Sequence, residues 1–454
     1  MATLDVWMNG QRVGEWTTRR SGNSTFHYAQ SWTEGPDARL LSLSLPITAD
    51  REIRGPVVDH YFDNLLPDNA DIRRRIRDRF QLRSGDAFEL LAQIGRDCVG
   101  AVQLLPPGED AGDWQRIEAI PLSSADVARI LRQTTTPAPF DRQEPEEEAF
   151  RISIAGAQEK TALLQMGGAW WRPRGATPTT HILKLPLGII GNFRGDFSHS
   201  IENEWLCSRI LKGWGLAVAD TRIASFGDQK ALIVRRFDRR WVGTSEKAAS
   251  TRGFKPPQNA WIARLPQEDF CQATGRAPSE RYESDGGASM EEILSLLSGS
   301  TEAEVDRTHF VLGQLAFWLL AATDGHSKNF SIHLHAGGEF SMTPLYDVLS
   351  AWPVVGRGAR QLPFQKAKLA MALAGRSRHY RLEDIQAYHW SDLAHRVGGV
   401  ALWQRVMEFV EQAPAALEVI SEQLPRKFPE TVFDPIKAGI KRQRARFLDG
   451  LSRT

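Results

Sequence analysis

A chain of 454 residues is too long for one ordinary domain and points to two or three. Hydrophobic residues make up 42% and charged residues 24%, an ordinary globular mix. Lys+Arg number 56 and Asp+Glu 55, a net charge of +1, which excludes a global basic field drawing the chain onto nucleic acid.

In chain order, the start reads as β structure. Leu4–Met8 and Arg12–Trp16 flank Asn9-Gly10, a hairpin signal because both turn positions need positive φ. No charged region followed by an apolar run precedes them, so a signal peptide is not expected. Leu40–Leu45 (LLSLSL) alternates apolar and polar, as a half-buried strand does. A helical stretch runs from about Val57 to Phe80. Its Arg-rich end, Arg73 to Arg83, is interleaved with Asp71 and Asp78 and reads as a solvated helix face rather than a nucleic-acid patch. Gly95–Leu105 reads as a turn entering a strand. Thr134–Glu148 (TTTPAPFDRQEPEEE) is rich in Pro and acid and marks a linker. Strands are expected at Phe150–Ile154, His181–Leu185 and Ala231–Val234, with a helix over Ser198–Trp214.

From about Leu265 the pattern turns helical, most clearly at Glu291–Leu297, Glu302–Ala322, Leu402–Glu411 and Ile436–Leu451. The apolar stretch Phe310–Ala322 is interrupted by Gln314 and is shorter than the ~20 residues that span a bilayer, so it reads as a buried helix. Cys98, Cys207 and Cys271 lie far apart without a CxxC spacing; this fits a reducing cytosol and argues against a disulfide framework or zinc site. A cytoplasmic protein with no membrane contact is expected.

The sharpest chemical signal is Thr323-Asp324-Gly325-His326-Ser327-Lys328-Asn329-Phe330, directly after the apolar helix. Asp324 and Asn329 carry the D-x-x-x-x-N spacing of a protein-kinase catalytic loop. There an Asp accepts the substrate hydroxyl proton while the Asn reaches a metal on the phosphate side. Phe330, Ile332 and Leu334 alternate as a strand, Gly337-Gly338 can turn it, and Phe340–Tyr346 can return to Asp347. A hairpin that delivers a second Asp is how kinases hold Mg²⁺, which prefers oxygen ligands. The pattern departs from ordinary kinases: His326 follows the Asp, and Tyr346-Asp347-Val348 stands in place of DFG.

Three weaker signals accompany it. Ile152-Ser153-Ile154-Ala155-Gly156-Ala157-Gln158-Glu159-Lys160 runs from a strand into a small-residue turn whose backbone N–H groups can cradle phosphates. Lys184 sits inside an apolar strand, where a lysine is costly unless paired. Glu202 and Glu204 on the following helix are equal candidates for its partner. Ala231–Phe237 is a strand ending where a kinase hinge would bind adenine.

These segments resemble the HipA family of bacterial toxins. RISIAGAQEKTALL (151–164), TPTTHILKLP (177–186), VRRFDRRW (234–241), RLPQEDFCQ (264–272), YESDGG (282–287), ATDGHSKNFS (322–331) and TPLYDVLSA (343–351) carry the likeness. So do WMNGQRVGE, LSLSLP, FDNLLPD and IGRDCVGAV nearer the N-terminus, in order over nearly the whole chain.

The resemblance implies an α+β, kinase-like two-lobed fold with an α/β N-terminal part and an all-helical C-terminal domain. The divisions expected are 1–135 as an N-terminal subdomain, 149–263 as the nucleotide lobe and 264–454 as the helical lobe. It implies an ATP- and Mg²⁺-dependent serine/threonine kinase whose family target is glutamyl-tRNA synthetase. By position, Asp324 is the catalytic base, and Asn329 and Asp347 are the Mg²⁺ ligands. Lys184 is the nucleotide lysine, and Ile154–Lys160 form the phosphate loop. His326, Lys328 and Tyr346 contact nucleotide, Val234 and Phe237 are hinge positions, and Ser153 is the autophosphorylation site. Arg235 departs from the pattern, standing where the family has an acidic hinge residue. The partner implied is a HipB-like helix-turn-helix antitoxin, with DNA reached mainly through it. Two other readings use the same residues: a catalytically idle partner of a DNA-binding antitoxin, and a small-molecule kinase.

Overall fold

The computed structural model describes residues 2–18, 24–135, 154–156, 158–191 and 194–452. They fall into two compact units that interleave along the chain. One is Met1–Leu185, Ala224–Ser279 and Ile332–Glu339; the other is Pro186–Ile223, Glu280–Ser331 and Phe340–Thr454.

The first unit opens with a five-stranded antiparallel sheet. Its spatial order is Glu52–Arg54, Thr25–Tyr28, Gln11–Thr18, Ala2–Met8 and Val102–Leu105. The expected hairpin is present, with Asn9 at φ 44° and Gly10 at φ 80°. A turn with both central φ positive matches the twist of the strands it joins. Asn9 also closes a second pairing: its Nδ2 donates to the Arg264 carbonyl at 2.8 Å, and its Oδ1 accepts from the Arg264 N–H at 2.9 Å. Trp16 stacks on Phe62, ring centroids 4.1 Å apart, at the centre of the core under the sheet.

Two expectations change here. Leu40–Leu45 is a tight turn closed by a Ser42–Leu45 bridge, not a strand. The Tyr28 hydroxyl accepts from the Leu41 N–H and donates to the Leu45 carbonyl, and Glu268 accepts from the Leu43 N–H at 2.9 Å. Side chains thus supply the bonds that a neighbouring strand would have given. The helical stretch 57–80 is two helices, Pro56–Asp63 and Ala70–Arg79, separated at Pro67, with Asn69 capping the second by accepting from the Asp71 N–H at 2.8 Å. Its arginines face carboxylates: Arg73 to Asp63, Arg74 to Asp71, Arg77 to Asp78 and Arg75 to Glu159. That is the solvated, charge-balanced face the sequence suggested.

A six-stranded sheet follows, in the order Thr221–Phe226, Gln229–Arg235, His181–Lys184, Lys160–Met166, Ala169–Pro173, Ala119–Leu122. Helix Ser124–Thr135 covers it, burying Val127 and Leu131 against Leu163, Leu183 and Ile233. That helix takes in Thr134 and Thr135 of the expected linker; 136–148 lie outside the described residues, as does most of the expected strand Phe150–Ile154.

The second unit is built on helix Ala303–Leu320, fully buried from Phe310 to Leu320. Helices Ser200–Gly213, Met290–Leu297, Ala387–Glu422 and Glu430–Leu451 complete it. The helical pattern of this half is interrupted by the hairpin Lys368–Ala374 with Arg378–Arg381. The run KLAMALA has helix-forming residues, but tertiary pairing overrides that weak preference. Among the described residues no helix is long and apolar enough to cross a membrane.

Candidate functional site

In the second unit, helix Ala303–Leu320 ends in a Schellman turn. Ala321 sits at φ 48°, and the Ala322 N–H reaches back to the Phe317 carbonyl at 2.8 Å. An L-residue in that region costs about 1–2 kcal/mol, so the turn must be held by its surroundings. The last carbonyls of the helix are all engaged. Gln443 Nε2 donates to Trp318 O, Trp352 Nε1 to Leu319 O, and Ser350 Oγ to Leu320 O. The chain therefore leaves the helix in one direction only, and that direction delivers Asp324.

The loop is braced from within. The His326 N–H donates to the Asp324 carbonyl at 2.8 Å, and the Asn329 N–H to the His326 carbonyl at 2.9 Å. Asn329 Nδ2 donates to the Asp324 carbonyl at 2.7 Å, so the amide's other end, Oδ1, is what it offers a cation. The Asp324 carboxylate is 64% exposed, whereas His326, Lys328 and Asn329 are buried. His326 Nε2 lies 4.0 Å from Asp324 Oδ1. An exposed carboxylate on a rigid, buried loop is a suitable acceptor for a proton from an incoming hydroxyl.

Tyr282 also belongs here, and sequence reasoning gave it no role. Its hydroxyl donates to Asp324 Oδ1, and its ring meets His326 edge-on at 5.0 Å. Burial and the neighbouring Asp324 carboxylate push the Tyr282 hydroxyl pKa well above its ordinary value. The next residue, Glu283, is a buried carboxylate that accepts from the Ala372 N–H at 2.6 Å and from Arg378, tying this segment to the 368–381 hairpin. The only sequence trace of Tyr282 was its place in the YESDGG block.

Tyr346 and Asp347 follow strand Phe340–Met342. The Tyr346 hydroxyl donates to the Lys328 carbonyl at 2.9 Å, fixing the two segments to each other. Asp347 stands at φ 60°, a conformation Asp tolerates better than most residues. Just beyond, Asn203 makes a reciprocal pair with Ser350: Nδ2 to Ser350 O at 2.8 Å, and Oδ1 from Ser350 N–H at 2.9 Å. The second unit thus brings together Asp324, His326, Lys328, Asn329 and Tyr346, with Asp347 next to Tyr346 in the chain. Two of these, Asn329 and Asp347, are hard oxygen donors of the kind Mg²⁺ takes.

The first unit holds the other candidates. Gly156, at φ 108°, accepts from the Asp68 N–H at 3.1 Å through its carbonyl. Gln158 Nε2 donates to the Leu185 carbonyl at 2.5 Å, and the Leu185 N–H to the Glu159 carbonyl at 3.0 Å. Lys160 stands opposite Lys184 in the sheet, and Lys184 is buried. Gln158, Glu159 and Lys160 therefore lie beside Lys184 and Leu185, while Gly156 is bridged to Pro67. Ala155 directly precedes Gly156; Ala157 and Ser153 lie outside the described residues. Val234 pairs with Ile182 one strand over, Phe237 meets His333 edge-on at 5.8 Å, and Arg235 pairs with Glu246 at 3.0 Å. Glu202 and Glu204 are both buried in the second unit, and His199 lies 3.9 Å from Glu202.

The residues around Val234 and Phe237 have a structural duty as well. Arg236, Arg239 and Arg264 surround Asp97 and Asp238, all buried, with contacts of 2.7 to 3.5 Å. Burial alone would raise the Asp97 carboxyl; Arg239, Arg236 and Arg264 outweigh it and hold it well below its usual range. Much of the VRRFDRRW block is thus a buried ion network.

The profile of the HipA N-terminal domain matches residues 4–105, and that of the HipA-like C-terminal domain residues 152–424. The Y4mE protein of Sinorhizobium fredii is 31% identical over 92% of this chain and 92% of its own length. A serine/threonine-protein kinase toxin HipA of Shewanella oneidensis is 26% identical over 77% of this chain and 75% of its own. Among solved structures, HipA from the Shewanella oneidensis MR-1 complex of HipA, HipB and operator DNA superposes with a TM-score of 0.77. It covers 99% of this chain and 98% of its own, at 22% identity. At that identity the likeness is one of fold, and it agrees with the α+β, kinase-like fold expected from sequence.

Proposed function

Because the chain belongs to the HipA family, we propose that it is a cytoplasmic, ATP-dependent serine/threonine protein kinase and the toxin of a toxin–antitoxin pair. The observation that carries the reading is the braced loop presenting an exposed Asp324 carboxylate beside Asn329, with Asp347 following Tyr346. In this reading 1–135 is the N-terminal part, 149–263 the nucleotide lobe and 264–454 the helical lobe. Val234 and Phe237 flank the adenine.

Asp324 takes the proton of the substrate serine as its Oγ bonds to the γ-phosphorus. The bond to the β–γ bridging oxygen breaks, and ADP departs with the electron pair. Asn329 Oδ1 and the Asp347 carboxylate would hold Mg²⁺, which neutralises charge on the phosphates. Lys184 and Lys160 hold phosphate oxygens, and the N–H groups of Ile154–Lys160 cradle them. Catalysis of this kind rests on positioning and fixed charge rather than covalent chemistry.

The substrate proposed is a translation protein, with glutamyl-tRNA synthetase first in line, and Ser153 is the site of autophosphorylation. A phosphoserine carries roughly −1.5 to −2 charges at pH 7 and would compete with ATP for the loop's N–H donors, silencing the enzyme. The partner proposed is a HipB-like antitoxin, through which the chain reaches DNA; the solved relative assembled with HipB and operator DNA supports that reading.

Incubation of the full chain with Mg²⁺ and ATP, followed by intact mass and phosphopeptide mapping, tests the reading. One phosphoryl group on Ser153 is expected in the wild type and none in Asp324→Asn. A wild type that binds ATP while Ser153 is bare before and after incubation would overturn it in favour of an idle regulatory partner.

A further inference from the structure

The phosphate loop is held from outside by the N-terminal segment Pro67–Arg75. Pro67 and Gly156 form a parallel bridge, and the Asp68 N–H donates to the Gly156 carbonyl at 3.1 Å. Arg75, on helix Ala70–Arg79, donates to the Glu159 carboxylate, each side chain being 26% exposed. Pro67 is itself fixed, because Arg73 Nε donates to its carbonyl at 2.5 Å while Arg73 Nη1 bonds Asp63 at 2.6 Å.

Glu159 is the anomaly. It is an acidic side chain in a loop read as cradling polyanionic phosphates, one residue before Lys160. Its backbone carbonyl is bonded to Leu185, the residue after Lys184. Left alone, its charge would oppose the two lysines. A guanidinium on it cancels that charge and also fixes the side chain's direction.

We propose that Arg75 is a positioning residue for nucleotide phosphates: by engaging Glu159, and with the Asp68–Gly156 bond beside it, it holds the phosphate loop in a receptive, charge-balanced state. Nucleotide affinity is then set in part by the N-terminal segment, which is distant in sequence from every residue that touches phosphate in the kinase reading. The inference rests on that reading of Ile154–Lys160.

The test is calorimetric titration of the full chain with Mg-ADP, in the wild type, Arg75→Gln, Arg75→Lys, Glu159→Gln and the Arg75→Gln/Glu159→Gln pair. Arg75→Gln is expected to raise Kd roughly three- to fivefold, the upper end for a partly shielded charge contact. Arg75→Lys should recover most of the loss. The double variant should return to within about twofold of Glu159→Gln, because no carboxylate is left to cancel. Autophosphorylation at saturating ATP should change little, a split between KM and kcat that mere loss of packing would not give. A Kd in Arg75→Gln equal to that of a wild type that binds Mg-ADP overturns this inference alone. So does a double variant as weak as Arg75→Gln. A wild type whose Ser153 is bare by intact mass and that still binds no nucleotide overturns the kinase reading, and this inference with it.

Discussion

Gly325 follows Asp324 directly, and a methyl group there has no room. A Cβ built on it would lie 2.3 Å from Phe317 Cδ2 and 2.4 Å from Phe317 Cε2. Carbon atoms rest at about 3.5–4.0 Å, so the methyl would be more than ~1 Å too close. Phe317 cannot retreat: it is buried, its backbone carbonyl caps the Schellman turn at 2.8 Å, and its ring packs on Phe330 with centroids 5.4 Å apart. In Gly325→Ala the loop must move instead, carrying Asp324 with it. Overpacking of this kind costs about 1–3 kcal/mol of stability. A displacement near 1 Å at the proton acceptor costs on the order of 10²-fold in rate. Both are measurable, the first by urea unfolding and the second by the rate of autophosphorylation at saturating Mg-ATP. Phe317→Leu in the same chain removes the obstructing ring and should restore part of the rate. Gly325→Ala with a wild-type unfolding midpoint and rate would refute the argument.

Tyr282→Phe removes the hydroxyl that orients Asp324 and should slow phosphoryl transfer about tenfold, as losing one hydrogen bond to a charged group does. KM for ATP should stay unchanged, and a rate equal to wild type would show that the hydroxyl is a bystander. Burial pushes the Glu268 carboxyl from its usual 4.5 up to about 8. Its folded-state pKa is thus raised, so the stability it contributes is complete below pH ~4.5 and is lost as pH rises through ~8. Glu268→Gln should therefore flatten the fall in unfolding midpoint between pH 5 and 8; equal slopes in the two proteins would count against it. Asp97→Asn removes the carboxylate that Arg264 meets, leaves Arg236 and Arg239 with Asp238, and should destabilise the first unit by about 3–5 kcal/mol, read by urea unfolding. An unfolding curve within about 1 kcal/mol of wild type would mean that the network reorganises around the loss.

Much was legible in the sequence because much of it is local. The Asn9-Gly10 hairpin is fixed by the φ those two residues accept, and the Gly337-Gly338 turn likewise, at φ 76° and 82°. Helix Ala303–Leu320 follows from its largely apolar second half, broken only at Gly313 and Gln314, and the four-residue gap between Asp324 and Asn329 encodes a turn that closes on itself through one amide. Strand His181–Lys184, with its buried lysine, was visible as a charge inside an apolar run.

Where local pattern and tertiary bonding compete, the sequence misleads. LLSLSL alternates like a strand, yet Tyr28 and Glu268 fold it into a turn by offering the hydrogen bonds a sheet would have supplied. KLAMALA has helix-forming residues, yet it pairs with Arg378–Arg381 as a hairpin. Other features have no local signature at all. Tyr282 meets Asp324 across 42 residues, and Arg264 meets Asp97 across 167. The glycine at 325 is explained only by the ring of Phe317, and the direction of Glu159 only by Arg75. Residue types and short spacings set which groups are present and how each turn runs. Which charge meets which carboxylate, and which side chain fills the space beside a glycine, depend on chain segments far apart in sequence, and those are brought together only when the apolar cores form.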